Sequence, residues 1–243
     1  MAVVDTTQAI EEVSYEEFLR NFRYRQDQHV TICGPTGCGK SVLITDLIIP
    51  EQPYAVYFSS KPRDATMDGI FGSKDWGFTD DPRDIHPDVH KKWVVGLKRF
   101  GDPEDVRERH RMLFGRTLRK LFSQSGWAAD LDEGRYICDP KYLGLSDIVA
   151  QWYIQARSDH KSVVLATQRP RWVPLEAFDQ ATHLFFFNDD DEQNVKRMAE
   201  AAGASRRQFE GVIPHLSISE SEGGQFLYYN RSTKQKLISK VEI

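Results

Sequence analysis

One eight-residue segment constrains the fold of this 243-residue chain more than any other: residues 34–41 read GPTGCGKS. The segment fits the pattern GxxxxGK[ST], in which backbone N–H groups converge on phosphate oxygens. Gly34, Gly37 and Gly39 would let the backbone curl that tightly. The run QHVTIC before it predicts a strand, and SVLITDLII after it predicts a helix that stops at Pro50. This order is typical of a parallel α/β sheet.

The same segment predicts a site for ATP and Mg²⁺. Lys40 would contact the β- and γ-phosphates, and the Ser41 hydroxyl would bind the metal. The full set of expected nucleotide-binding residues is Gly34, Pro35, Thr36, Gly37, Cys38, Gly39, Lys40, Ser41 and Val42. A chance match is the alternative, but the flanking strand and helix argue against it.

An acidic pair ends the apolar segment GWAADLDE, residues 126–133. If this segment is a strand, its carboxyl end would place Asp132 on Mg²⁺ and Glu133 beside the attacking water as general base. A strand that ends in an acidic turn is the alternative. Asp130 competes for the metal, but it lies two residues farther from the strand end. The adjacent pair fits hydrolysis better than transfer to a second substrate, so a kinase is the least favoured interpretation.

The segment QARSDHKSVVLATQRP adds two polar candidates. Gln168 follows an apolar strand, where it would sense the γ-phosphate; an ordinary strand-end glutamine is the alternative. Arg157 ends the preceding predicted helix. It is either an arginine favoured by the helix dipole or one offered to the ATP of a neighbouring subunit. Arg169 and Arg171 are further candidates for that second role.

A long basic helix is predicted over residues 104–124. Arg109, Arg116 and Lys120 lie near one face at helical spacing and could contact DNA phosphates without reading sequence. A solvated face balanced by neighbouring acids explains the pattern equally well. Other basic candidates in the same region are Lys61, Arg63, Lys74, Lys91, Lys92, Lys98 and Arg99.

Composition bounds the class of protein. The net charge of −4 excludes a generally basic nucleic-acid coat, and the hydrophobic fraction of 40% suits a full core. Three cysteines without a CxxC pair favour a reducing compartment. We see no signal peptide, and the apolar runs are too short for a bilayer. A cytoplasmic protein without a membrane partner is therefore expected.

The remaining pattern predicts a single α/β core with additions at both ends. Further helices are expected over 14–24, 145–157 and 190–203, and further strands over 54–60, 92–97, 161–170 and 182–188. Trp93, Trp152 and residues 185–187 are expected in the core. Phe18 and Leu19 in the first helix, and Ile154 in the helix over 145–157, are expected on apolar helix faces. The predicted divisions are an N-terminal helical extension over 1–27, an ATPase core over 28–210 with an insert over roughly 61–125, and C-terminal strands over 211–243 with a hairpin around 230–234.

Together these pieces resemble the HerA/FtsK superfamily of P-loop DNA-translocating ATPases. The motifs that carry the resemblance are GPTGCGKS, DLDE and QARSDHKSVVLATQRPRWVP. FRYRQDQHVTICGPTGCGKS, YFSSKPRDATM and AFDQATHLFFFNDDD resemble, more narrowly, phage-encoded genome-packaging ATPases. The resemblance covers roughly residues 14–230. It implies a RecA-like core with an additional strand and a catalytic glutamate.

For the individual residues, the resemblance implies a Walker A lysine and serine at Lys40 and Ser41, and a Walker B pair at Asp132 and Glu133. It also implies a sensor at Gln168 and a trans-acting arginine at Arg157. The implied assembly is a ring of five or six copies that hydrolyses Mg²⁺-ATP between subunits, with double-stranded DNA in its channel. A capsid portal is a further implied partner, with the host cytoplasm, and transiently the procapsid, as the location.

Two features depart from the family pattern. The predicted Walker B strand reads WAAD where bulky apolar residues are usual, and nothing after residue 188 supplies the spaced acids of a nuclease domain. We therefore expect no nuclease. A chromosome or plasmid translocase of the same superfamily remains open, as does a P-loop switch or scaffold that controls assembly without acting as a motor.

Overall fold

Ten strands of the described residues form one sheet. The computed structural model describes residues 10–61, 75–99, 101–203, 206–219 and 222–242. The strands are β1 (Glu11–Glu12), β2 (Val30–Cys33), β3 (Tyr54–Phe58), β4 (Trp76–Thr79), β5 (Lys92–Val95), β6 (Trp127–Leu131), β7 (Ser162–Thr167), β8 (His183–Phe187), β9 (Gln225–Asn230) and β10 (Lys236–Lys240). Their order is β1-β10-β9-β8-β2-β7-β6-β3-β5-β4. Only β9 pairs antiparallel with its neighbours, so the predicted mainly parallel α/β fold is confirmed.

Helices cover both faces of this sheet. They are α1 (Tyr15–Asn21), α2 (Lys40–Val42), α3 (Pro103–Phe122), α4 (Gly134–Cys138), α5 (Ser146–Gln155), α6 (Glu176–Asp179), α7 (Glu192–Ala202) and α8 (Arg206–Glu210). Apolar side chains of α3, α5 and α7 belong to one buried cluster, and those of α1 and the segment after α2 belong to another. The two clusters lie on opposite sides of the sheet, as the alternating residues of β7 demonstrate: Val163 and Leu165 join the first, Val164 and Ala166 the second.

The helix that follows the glycine-rich loop continues past its predicted end. After α2 the chain forms a π-helix over Leu43–Ile48 and a 3-10 turn over Ile49–Glu51. Pro50 therefore lies inside the helical run rather than beyond it. A proline is tolerated in the first turn of a helical segment, because the N–H groups there have no carbonyl partner.

Several predicted elements are confirmed at the residue level. The Ser14 hydroxyl accepts a hydrogen bond from the N–H of Glu17 at the start of α1. Gly203, with φ of 57°, ends α7, and the predicted C-terminal hairpin forms from β9 and β10. Trp93 and Trp152 are buried, as expected.

Other expectations were wrong. Leu19 and Ile154, predicted on apolar helix faces, are 41% and 56% exposed. Periodicity alone marked them as apolar positions. Of the pair predicted on α1, the helix buries Phe18, against Phe185, Phe226 and Tyr228, and leaves Leu19 exposed. Strands β1 and β4 were not predicted, since the first has two residues and the second contains a glycine.

The terminal segments extend the same sheet as the central strands. β10 joins β9, which pairs with β8 beside the strand of the glycine-rich loop, and β1 pairs with β10. The division into an extension, a core and C-terminal strands stays a prediction. Residues 62–74 of the predicted insert, with Arg63 and Lys74, lie outside the described residues.

Candidate active site

The glycine-rich loop connects the carboxyl end of β2 to the start of α2. Gly37 and Gly39 have φ of 77° and 103°, which places both in the left-handed region that favours glycine. Gly34 donates its N–H to the carbonyl of Thr167, so the loop is tied to the end of β7. A Cβ atom on Gly34 would lie 2.5 Å from Cβ of Phe187. The loop therefore needs glycine for both its curvature and its close packing on β8.

Lys40 turns its side chain back into this loop. Its ammonium donates to the carbonyl oxygen of Pro35, and the residue is only 8% exposed. A lysine charge held at the mouth of a glycine-rich loop can bind a phosphate group, whose oxygens would replace that carbonyl as acceptors.

Ser41 and Asp132 meet at the carboxyl edge of the sheet, although 91 positions separate them in the chain. The Ser41 hydroxyl donates to Oδ2 of Asp132 at 2.8 Å. The Tyr57 hydroxyl of β3 donates to the same oxygen at 2.7 Å. One hydroxyl and one carboxylate beside a phosphate-binding loop suit Mg²⁺, whose remaining ligands are usually phosphate oxygens and water. Within the described ranges, no three His, Cys, Asp or Glu side chains cluster as a self-contained metal site.

Glu133 follows Asp132 but contacts a different partner. It occupies the position just before α4, and its Oε1 lies 2.9 Å from the ammonium of Lys61. Lys61 follows β3, the neighbour of β6 in the sheet. Because β3 lies next to β6, each acid of the pair meets a residue from the end of β3 or just after it. Asp132 meets Tyr57, and Glu133 meets Lys61.

Asp130 lies away from this edge. It is fully buried, and its Oδ1 accepts a hydrogen bond from Nε2 of Gln52 at 2.9 Å. Burial raises the pKa of Asp130 to about 7, opposed by the Gln52 hydrogen bond and the charge of Lys92. Asp132, rather than Asp130, therefore contacts Ser41.

Gln168 lies at the end of β7, beside the glycine-rich loop. It is exposed and lines a cavity of about 430 Å³ together with Pro35 and Thr36. Asp189 and Asp190, which follow β8, line the same cavity, and Arg169 lies 3.9 Å from the next acid, Asp191. The chain thus brings Gln168 to the loop, while its sensor role stays a prediction.

Arg157 lies at the opposite edge of the sheet. It belongs to a 3-10 turn over Ala156–Asp159, just before β7 begins, whereas the glycine-rich loop lies where the strands end. The structure therefore does not bring Arg157 to the loop of its own chain. Arg171 lies against the Trp172 ring, 5.4 Å from its centroid.

The basic residues Arg109, Arg116 and Lys120 line one cavity of about 610 Å³ near the β4 edge of the sheet. Lys120 has a structural role there that the sequence did not indicate. Its ammonium donates to the carbonyls of Pro82 and Ile85, at 2.7 and 2.9 Å, and so holds a 3-10 turn against α3. That Arg109, Arg116 and Lys120 contact DNA phosphates stays a prediction.

The other basic candidates have varied surroundings. Lys92 donates to the carbonyl of Ile49, and Lys98 lies 3.0 Å from Asp80. Lys91 and Arg99 are exposed.

All three cysteines are buried and free. In the described part of the chain, no helix is long and apolar enough to cross a bilayer.

No family model matches the chain. No curated protein matches it either. Solved structures do match. The genome-packaging NTPase B204 from Sulfolobus turreted icosahedral virus 2, in complex with AMPPCP, has a TM-score of 0.60 at 17% identity over 90% of this chain and 100% of that one. B204 from Sulfolobus turreted icosahedral virus, a DNA-packaging ATPase, has a TM-score of 0.57 at 17% identity over the same shares.

A third match comes from a different organism. VirB4 of Thermoanaerobacter pseudethanolicus has a TM-score of 0.62 at 10% identity, over 88% of this chain and 89% of that one. At such identities the likeness shows the fold alone. The resemblance drawn from the sequence is thus confirmed at the level of the fold, which this chain shares with viral packaging ATPases and VirB4.

Proposed function

We propose that this chain is a Mg²⁺-dependent ATPase that works as a ring to translocate double-stranded DNA, in the packaging of a viral genome. The hydrogen bond between Ser41 and Asp132 carries the ATPase part of the proposal. It joins the first helical turn after a glycine-rich loop to the acid that follows β6, which β7 separates from the loop's strand β2. This is the arrangement that a nucleotide-bound Mg²⁺ requires.

The residues divide the work of hydrolysis. The backbone N–H groups of residues 34–39 and the Lys40 ammonium bind and orient the phosphates. Ser41 and Asp132 hold the metal. When bound, Mg²⁺ supplies positive charge to the β- and γ-phosphates. Glu133 accepts a proton from the water that attacks the γ-phosphorus, while the bond to the ADP oxygen breaks.

Glu133 can act as a base only after its ion pair with Lys61 loosens, because an ammonium 2.9 Å away competes with the attacking water for the same carboxylate. Gln168 would contact the γ-phosphate from the end of β7. Its exposure beside Pro35 and Thr36 supports that role.

Two observations support a ring that acts on DNA. Arg157 lies at the opposite sheet edge from the glycine-rich loop, so as a catalytic arginine it would serve another copy. The chain also shares its fold with structures described as DNA-packaging or genome-packaging enzymes. We extend the proposal to five or six copies, to a capsid portal as docking partner, and to Arg109 and Arg116 as DNA contacts.

Electron microscopy of the protein with a non-hydrolysable ATP analogue and double-stranded DNA tests this assembly. We expect a closed ring with DNA in its hole and Arg157 of one copy beside the nucleotide of the next. A sample without nucleotide is the control for assembly driven by ATP. If the protein binds the analogue but stays as single copies without bound DNA at all protein concentrations, the proposed ring assembly is contradicted.

A further inference from the structure

We infer that Tyr57 is a positioning residue for the metal: its hydroxyl holds the Asp132 carboxylate in the orientation that Mg²⁺-dependent nucleotide binding needs. The inference deepens the proposed function and rests on it, since it concerns the same Mg²⁺-nucleotide site. Its basis is the hydrogen bond of 2.7 Å from the Tyr57 hydroxyl to Oδ2 of Asp132.

Tyr57 lies on a rigid part of the sheet. Its strand, β3, is paired on both sides, with Tyr57 opposite Asp130 on β6 and opposite Val94 on β5. The residue is 2% exposed and packs in the same buried cluster as the apolar residues of the segment after α2. A side chain fixed in this way can hold another group in place more precisely than a loop residue can.

The geometry at the carboxylate shows what is being positioned. Ser41 and Tyr57 both donate to Oδ2, at 2.8 and 2.7 Å. A carboxylate oxygen has two lone pairs, so these donors use the full capacity of Oδ2 and set the plane of the group. Neither donor uses Oδ1, which remains for the metal or for a water molecule on it.

The Tyr57 hydroxyl therefore matters most when Ser41 binds the metal. The serine oxygen then shares its electrons with Mg²⁺. Without the Tyr57 hydroxyl, the hydrogen bond from Ser41 would be the only one of the two left to orient the Asp132 carboxylate. A second donor on the same oxygen prevents rotation of the carboxylate. Hydrogen bonds of this kind to metal-binding groups typically contribute about 10- to 100-fold to metal affinity.

The experiment measures binding rather than turnover. A fluorescent ADP analogue is titrated into wild-type protein and the Tyr57→Phe variant, first in EDTA and then at increasing MgCl₂ concentrations. We expect equal affinities in EDTA, and a Mg²⁺ concentration for half-maximal effect that is about 10- to 100-fold higher in the variant.

Tyr24→Phe is the matched control. It removes another buried hydroxyl from the same apolar cluster, one that lies 2.7 Å from the Ser162 hydroxyl at the start of β7, far from the metal site. A Tyr57→Phe variant that responds to Mg²⁺ as wild type and the control do would overturn the positioning role alone. If the nucleotide affinity of the wild-type protein does not change with the Mg²⁺ concentration, the proposed metal site itself is overturned.

Discussion

Replacing Glu133 with glutamine is expected to lower the rate of ATP hydrolysis by about 10²–10⁴-fold, the usual contribution of a general base. Glutamine has nearly the same shape as glutamate but cannot accept the proton of the attacking water. ATP binding should persist, because the proposed phosphate and metal contacts come from the glycine-rich loop, Lys40, Ser41 and Asp132.

Phosphate release at saturating ATP, together with the affinity for an ATP analogue, checks this prediction. Glu200→Gln is the control, since it makes the same chemical change on the exposed surface of α7, where Glu200 lies 3.8 Å from Lys196. Turnover of Glu133→Gln at the wild-type rate would remove Glu133 from the role of base.

The second large effect concerns stability. We expect Asp130 to contribute a fall in the free energy of unfolding as the pH rises from about 4 to 7, and Asp130→Asn to remove this contribution. The buried His110 and His183 contribute in the opposite direction, because burial lowers the pKa of each to about 4. The folded chain keeps Asp130 protonated up to a pKa of about 7, because burial opposes its charge. The unfolded chain releases the same proton near pH 4. Between these values the unfolded state binds fewer protons, so each pH unit costs at most about 1.4 kcal/mol of stability.

Urea unfolding at pH 5 and pH 8 measures the effect. Between these two values the free energy of unfolding of the wild-type protein should change by about 2–3 kcal/mol less favourably than that of Asp130→Asn, in which the histidine contributions are the same. Asparagine keeps an acceptor for the Gln52 amide, so the hydrogen bond itself can survive the change. Asp179→Asn, at an exposed position, is the control. An equal change in wild type and Asp130→Asn would show that Asp130 makes no such contribution.

Local patterns made much of the fold predictable. A glycine-rich loop with Lys40 and Ser41 requires a strand before it and a helix after it, and both are present. The runs that became β7 and β8 are almost continuously apolar, because strands in a parallel sheet are buried on both faces. The position of Asp132 at the edge that holds Ser41 followed from the parallel order alone.

Contacts across the sheet explain what was missed. Tyr57 lies in the apolar run YAVYF, where nothing local separates a hydroxyl that supports Asp132 from one that merely packs. Lys61 was a candidate for contact with DNA because of its positive charge. Its pairing with Glu133 could not be foreseen, because it depends on β3 lying next to β6. Lys120 had the helical spacing of a DNA-facing residue, yet the carbonyls of a separate 3-10 turn use its ammonium. Each of these partners is distant in the chain, so spacing could not reveal it.

Steady-state phosphate release by the purified protein, with Mg²⁺-ATP and with or without double-stranded DNA, tests the proposed motor most directly. The account predicts turnover that requires Mg²⁺, rises when DNA is added and increases with protein concentration as rings form. Tight ATP binding with slow turnover that DNA leaves unchanged at every protein concentration would contradict the motor and favour a nucleotide-controlled switch.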